Sequence, residues 1–234
     1  MLADAFESLK KYDWGTDLAE LTPIEEATVA AHDNKEVRHD LESRLLAALQ
    51  GHLSRDAHDY VCRKLAIVGS AAAVPTLAAQ LPNKATSHMA RYALERIPGP
   101  EAGHALRQAL GTVKGKLKIG VISSLAARRD TDAVAPLDAL LRTDDPALAR
   151  SAALAVGTIG SPESVGVLQS ALRTGTGDQK AVIDALLECA ELLLAQNRTT
   201  DALSIYHSLS EERHGRLVRL AATRGLLACS AKQA

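Results

Sequence analysis

The feature that most restricts what this chain can fold into is an apolar pair, four residues apart, that keeps returning. Leu77 and Leu81, Leu106 and Leu110, Leu137 and Leu141, Leu168 and Leu172, and Ile205 and Leu209 begin 29, 31, 31 and 37 residues apart. An i, i+4 pair lies on one face of a helix. Eight residues before each pair stand Gly69, Pro98, Arg129, Gly160 and Asn197, and Gly, Pro and Asn suit a helix end followed by a turn. Such a period describes small units, each burying its face only on its neighbours. The clearest copy is Asp145–Leu172, read as two short helices. Leu148, Ala152, Leu154, Ala155 and Ile159 form the apolar face of the first, and Val165, Leu168 and Leu172 that of the second. Gly160 closes one helix and Ser161 opens the next.

Composition supports helices stacked on helices. Apolar residues make up 47% of the 234 and aromatic ones only 3%, so the core must be Ala, Leu, Val and Ile. Ala is the best helix former and permits close approach, whereas a sheet would call for more aromatic and β-branched residues. The formal charge of −1 gives the whole molecule no reason to seek nucleic acid or an acidic membrane. Cys62, Cys189 and Cys229 are odd in number, widely spaced and set in apolar helical patterns, so they read as buried small hydrophobes. The first residues lack the apolar run of a signal peptide, and no stretch approaches the ~18 apolar residues of a membrane span. These features describe a soluble chain, and no compartment is assigned.

In order, residues 1–34 read as an N-terminal helical cap. Phe6 and Leu9 suit a first helix that Trp14-Gly15 breaks, and Thr22-Pro23-Ile24-Glu25 has the capping-box pattern with Pro at the first helical position. Trp14 and Phe6, the only Trp and Phe, are expected to plug the exposed end of an array, with a ligand-stacking platform as the alternative. Residues 35–230 form the repeat array. Its helix over residues 35–50 carries Val37, Leu41, Leu45, Leu46 and Leu49 on one face, with Arg38, Asp40, Glu42 and Arg44 mostly off it. Ser54 and Ser70 are candidate N-caps for the next two helices. Gly111, Gly115 and Gly120 predict a short helix beginning near Leu117. In the helix predicted over Leu217–Ser230, an apolar face with Val218, Ala222 and Leu226 lacks a partner and is the candidate interface. Residues 231–234 are a tail.

Ala149-Arg150, Ala152-Ala153, Ala155-Val156-Gly157, Ile159-Gly160, Val165, Leu168 and Leu172, echoed by Val61 to Gly69 with Val74, Leu77 and Leu81, resemble HEAT repeats. The likeness is to the short bacterial HEAT-like type of the phycobilisome lyases and covers roughly residues 54–230. It implies an all-α fold: a right-handed α-α superhelix, an armadillo-like solenoid of antiparallel helix pairs, with second helices on the concave side. The pair over about 181–212, with Ala190, Leu193, Leu194, Asn197, Ala202, Ile205 and Tyr206, resembles a tetratricopeptide repeat. Stretches such as SHMARYALE also resemble modules of large multidomain bacterial proteins, of which this chain would be one excised piece.

Catalytic patterns are missing from the sequence. There is no His-Glu-x-x-His, Cys-x-x-Cys, Gly-x-Ser-x-Gly or Walker loop. No His-Glu dipeptide occurs, which counts against resemblance to HEAT-like di-iron hydroxylases. No catalytic residue, metal ligand or cofactor is assigned. The most unusual cluster is Ser87–Tyr92, opening a helix with Ser87 as candidate N-cap. His88, Arg91 and Tyr92 there, with Lys114, Lys116, Lys118, Arg128 and Arg129 in an acid-free stretch, are the candidate binding residues, expected to form one basic edge. The structural alternatives are solvated lysines, arginines answering a helix dipole, an exposed His88 and a core Tyr92. HEAT-like base-excision glycosylases are disfavoured by the near-neutral charge and by Asp144, Asp145 and Glu163 punctuating the array. The reading is a non-enzymatic protein-interaction scaffold presenting a concave helical surface, its partners other proteins or further domains of the same chain. A bilin-lyase-like accessory and an anion- or nucleic-acid-binding module using residues 114–129 are the alternatives; neither nucleic acid nor membrane is the favoured partner.

Overall fold

The computed structural model describes residues 1–232, so positions 233 and 234 of the tail lie outside the described residues. Among the described residues there are fourteen α-helices, three short 3-10 segments and no strand. The cap region holds α1 (Leu2–Leu9) and α2 (Thr22–Ala30), followed by α3 (Lys35–Leu49). The pairs that follow are α4 (Arg55–Val68) with α5 (Val74–Ala78), α6 (Ser87–Arg96) with α7 (Pro100–Thr112), and α8 (Gly115–Ala127) with α9 (Val134–Leu141). Then come α10 (Pro146–Ile159) with α11 (Pro162–Thr174), α12 (Gln179–Ala195) with α13 (Thr199–Leu209), and α14 (Arg216–Ala231). The chain divides into two compact units, Met1–Ser124 and one running from Leu125, with the division inside α8.

The repeated pair does what its spacing predicts. Every member except the half-buried Leu172 is buried. At three of the five turn positions the backbone is left-handed: φ is 50° at Arg129, 64° at Gly160 and 60° at Asn197. Gly160 closes α10, and the side chain of Ser161 accepts a bond from the amide of Ser164 to open α11. Within α10 the buried face is Ala149, Ala152, Ala153, Ala155, Val156, Gly157 and Ile159, while Leu154 is exposed. Small residues are needed there because α12 lies close: a Cβ on Gly157 would stand 2.8 Å from Cβ and 2.9 Å from Cα of Ala185. The Cys189 thiol also donates to the Gly157 carbonyl at 3.4 Å.

In the first unit, α4 and α6 pack side by side. Ser54 caps α4 and Ser70 caps the short helical turn before α5, as expected. Arg38 and Glu42, however, are not on a solvated face. Arg38 donates to the carbonyls of Val68 (2.8 Å) and Ile67 (3.1 Å) at the end of α4. Glu42 is buried and accepts from the Ser70 amide at 2.6 Å and its hydroxyl at 2.8 Å. Thus α3 closes the α4–α5 turn by supplying partners to backbone groups that the helix ends leave open.

Four other expectations change. The Thr22 capping box does not form, because the 3-10 segment Leu18–Leu21 runs directly into α2 and puts Leu21 at the cap position. Trp14 is not a plug: the residue is 88% exposed, and the first helix buries Ala5, Phe6 and Leu9 instead. The helix expected near Leu117 begins at Gly115 and runs 13 residues. Ser87 is not the cap of α6; Thr86 holds that position without a side-chain bond, and Ser87 is buried.

Candidate functional site

The sequence-predicted cluster sits at the start of α6, in the first unit. Across from it, the turn Asp13–Thr16 is tied by the Thr16 amide to the Asp13 carbonyl at 3.0 Å and by the Trp14 amide to the Asp13 carboxylate at 2.9 Å. This turn holds the Trp14 ring in the open. With Arg55, Asp56, Asp59 and Arg63 of α4 and His88 and Met89 of α6, Trp14 lines a groove of about 520 Å³. His88 is exposed on its wall.

Tyr92 is half-buried rather than a core ring. The Arg96 guanidinium lies 3.8 Å and that of Arg63 5.4 Å from its ring centroid, a cation–π arrangement on either account. Arg63 also donates to Asp59 at 2.6 Å. Arg91 is turned into α8. It donates to the Gly120 carbonyl at 2.9 Å and the Ser124 hydroxyl at 3.2 Å, and lies 3.4 Å from His88 Nδ1. Burial lowers its pKa from the ordinary value, with Glu95 acting in the opposite sense. Gly120 gives this arginine room, since a Cβ would come within 2.6 Å of the guanidinium carbon. The glycine that looks like a helix breaker in sequence is therefore a close-approach residue.

Lys114 and Lys116 are exposed and Lys118 half-buried, all at the start of α8 in the first unit. Arg128, half-buried, and Arg129, exposed, follow the helix in the second unit. The structure therefore brings His88 to the groove, commits Arg91 to packing, and places Tyr92 between arginines. Arg91, turned into packing against α8, does not belong to an open basic edge.

A second cavity, about 480 Å³, shares Arg55 and Met89 with the first and is lined also by Ser54, His58, Lys84 and Thr86. Here His58 Nδ1 lies 3.6 Å from Cys62 Sγ. This resembles a base beside a nucleophile, but burial pushes the Cys62 thiol up to about 12 and pulls the His58 imidazole down. The pair stays neutral at physiological pH and supplies no thiolate. Apart from a 58/62 spacing on a helix, no signal in the sequence marks it.

A third groove, about 600 Å³, runs between α5 and α7. Its apolar lining includes Ala71, Val74, Pro75, Ala78, Pro100 and Ala105, with Glu101, His104, Arg107 and Gln108 adding polar groups. It lies between second helices of consecutive pairs. The repeat register locates it, although no motif marks it.

In the second unit, α14 packs on α12 and α13 through Ala222, Gly225 and Cys229. Of the candidate interface residues, Ala222 is fully buried and Val218 and Leu226 are half-buried, so this is the covered side of the helix. The exposed apolar residues are Leu217, Leu220 and Leu227, at 81%, 65% and 69%. Among the described residues no group of three or more His, Cys, Asp or Glu is placed to hold a metal ion, and no helix is long and apolar enough to cross a membrane.

Helix pairs at a near-constant period, packed on one another within each unit, define an all-α repeat protein of the solenoid class. More particularly, residues 105–187, from α7 into α12, match the family described as HEAT repeats. This is the resemblance that Ala149–Leu172 carries in sequence. A solved structure, the HEAT-like repeats protein of the archaeon Thermococcus onnurineus NA1, is similar with 14% identity over 99% of this chain and 97% of that one, at a TM-score of 0.49. Comparison with curated proteins returns no match.

Proposed function

We propose that this chain is a non-enzymatic protein-interaction scaffold, with other proteins or further domains of the same polypeptide as its partners. HEAT repeats generally serve in that way, and the carrying observation is the groove between α5 and α7. Its mainly apolar lining with a few polar groups has the composition of a protein-binding patch, and its volume suits a few inserted side chains of a docked segment. Ala78 and Ala105 line it without being fully buried, so Ala78→Glu with Ala105→Glu charges the groove while leaving the core intact. A photo-crosslinking residue at Ala105 is expected to capture a specific protein from native extract, and the Ala78→Glu change in the same chain to abolish capture. Capture unaffected by Ala78→Glu sinks this reading.

The exposed Lys114 and Lys116 support a second reading, an anion-binding module. Reversing charge at Lys116 and Lys118 distinguishes it: loss of partner binding in that variant alone favours anion recognition, and unchanged binding rejects it.

A further inference from the structure

The packed side of α14 leaves a second, outward stripe that is organised like one half of a helix pair. Leu217, Leu220, Arg224 and Leu227 are three, four and three residues apart, which is the alternation of a heptad seam. The three leucines are largely exposed and Arg224 is exposed between them. The helix itself is firmly seated. Its inner side is buried on α12 and α13, and Lys232 at its end donates to the Leu194 carbonyl at 2.6 Å and to the Asn197 side chain at 3.2 Å. The outward stripe is thus presented on a fixed element.

Arg224 decides what can cover it. A second copy of the same stripe, paired antiparallel about its middle, would set each Arg224 against Leu220 of the other helix with no counter-charge. A parallel copy in register would set Arg224 against its own counterpart, because the arginine occupies the same heptad position on both helices. Arginines held in an apolar seam without a carboxylate oppose self-association in either arrangement. No Asp or Glu lies anywhere in Arg216–Ala231 to relieve them, and Arg216 adds a further exposed positive charge. A membrane surface fits poorly too, since three leucines and few basic residues fall short of the large apolar face and polybasic set that anchor an interfacial helix.

We propose that the outward face of α14 docks an amphipathic helix of a partner protein, one that carries an apolar heptad seam with a carboxylate set opposite Arg224. This rests on the protein-interaction reading and names its partner's chemistry. The carboxylate satisfies the arginine and the apolar seam covers Leu217, Leu220 and Leu227.

The test uses the full chain and two labelled synthetic helical peptides with leucines at the heptad seam and either Glu or Lys at the central position. By fluorescence anisotropy, the Glu peptide is expected to bind at least tenfold more tightly than the Lys peptide. Arg224→Glu is expected to invert that preference, and Leu220→Asp with Leu227→Asp to abolish binding of both. All three positions are exposed, and unchanged circular dichroism would show that the variants fold. Equal binding of the two peptides, binding that survives the double Asp change, or no binding at all overturns the proposal. So does a concentration-dependent dimer in sedimentation that Leu220→Asp dissolves, or sedimentation of the chain with phosphatidylserine vesicles. If the peptide assay fails while crosslinking in the α5–α7 groove still responds to Ala78→Glu, this proposal falls and the scaffold reading stands.

Discussion

A methyl group added at Gly157 meets backbone as well as side chain, with the Ala185 carbonyl oxygen 3.0 Å away in addition to its Cα and Cβ. Neither helix can yield without disturbing its own bonds, so Gly157→Ala is expected to cost about 1–3 kcal/mol as overpacking. Gly166, in the middle of α11 with open space where a Cβ would stand, sets the contrast. There Ala is expected to add up to ~1 kcal/mol through helix propensity alone. Urea unfolding of the two variants beside the parent reads both signs. A second residue governs acid behaviour. Burial keeps the His58 imidazole below its ordinary 6.5, with Gln80 and Asp59 pulling the other way. As pH falls below about 6.5 the unfolded chain takes up a proton that the folded chain resists, so stability is full above that pH and declines below it. His58→Asn is expected to flatten this part of the curve when Tm is followed from about pH 8 to about pH 5. The leucine pairs and the turn residues Gly160 and Asn197 were legible in sequence because period and propensity agree there. Trp14 was not. Hydrophobicity argues for burial, and only the Asp13–Thr16 turn, whose direction no local rule gives, turns the ring outward.

At the scale of the element, α3 shows why a helix face cannot be assigned from its own sequence. Arg38, Glu42, Asp40 and Arg44 look alike as a charged face. Yet Asp40 and Arg44 form an exposed pair at 2.8 Å, while Arg38 and Glu42 reach the end of α4 and the turn beyond it. Which charges are solvated depends on a turn some thirty residues away in sequence. Removing Glu42 leaves the Ser70 amide without its acceptor, so Glu42→Ala is expected to destabilise by about 1–3 kcal/mol. Arg44→Ala should cost less than ~1 kcal/mol, as exposed pairs do. Chemical denaturation of the two variants tests the difference, and equal losses would refute the role given to α3. The same reasoning applies to α14. Its apolar residues were legible, but the choice of Val218, Ala222 and Leu226 as the open side needed the positions of α12 and α13, which cover the Ala222 side and leave Leu217, Leu220 and Leu227 bare.

At the scale of the molecule, two compact units divided within a helix give a repeat chain two places to lose order. Stability in such arrays is local and propagates between neighbours. Leu65 and Leu186 are both fully buried, one in each unit. Leu65→Ala and Leu186→Ala should each cost about 2–5 kcal/mol. Hydrogen exchange is expected to show the loss of protection concentrated in the unit that carries the change; uniform loss along the chain would mean that the array unfolds as one. Aromatic residues are so few that another property follows. With a single Trp and a single Phe in 234 residues, the indole emission of the entire protein comes from Trp14, a ring almost fully in water. That emission should barely respond to unfolding and should be readily quenched by acrylamide. It should shift to the blue only when something closes over the groove beside His88 and Arg63. Poverty in aromatics, which in the sequence spoke only of the core, thus leaves the molecule with an unlabelled optical sensor for occupancy of one surface.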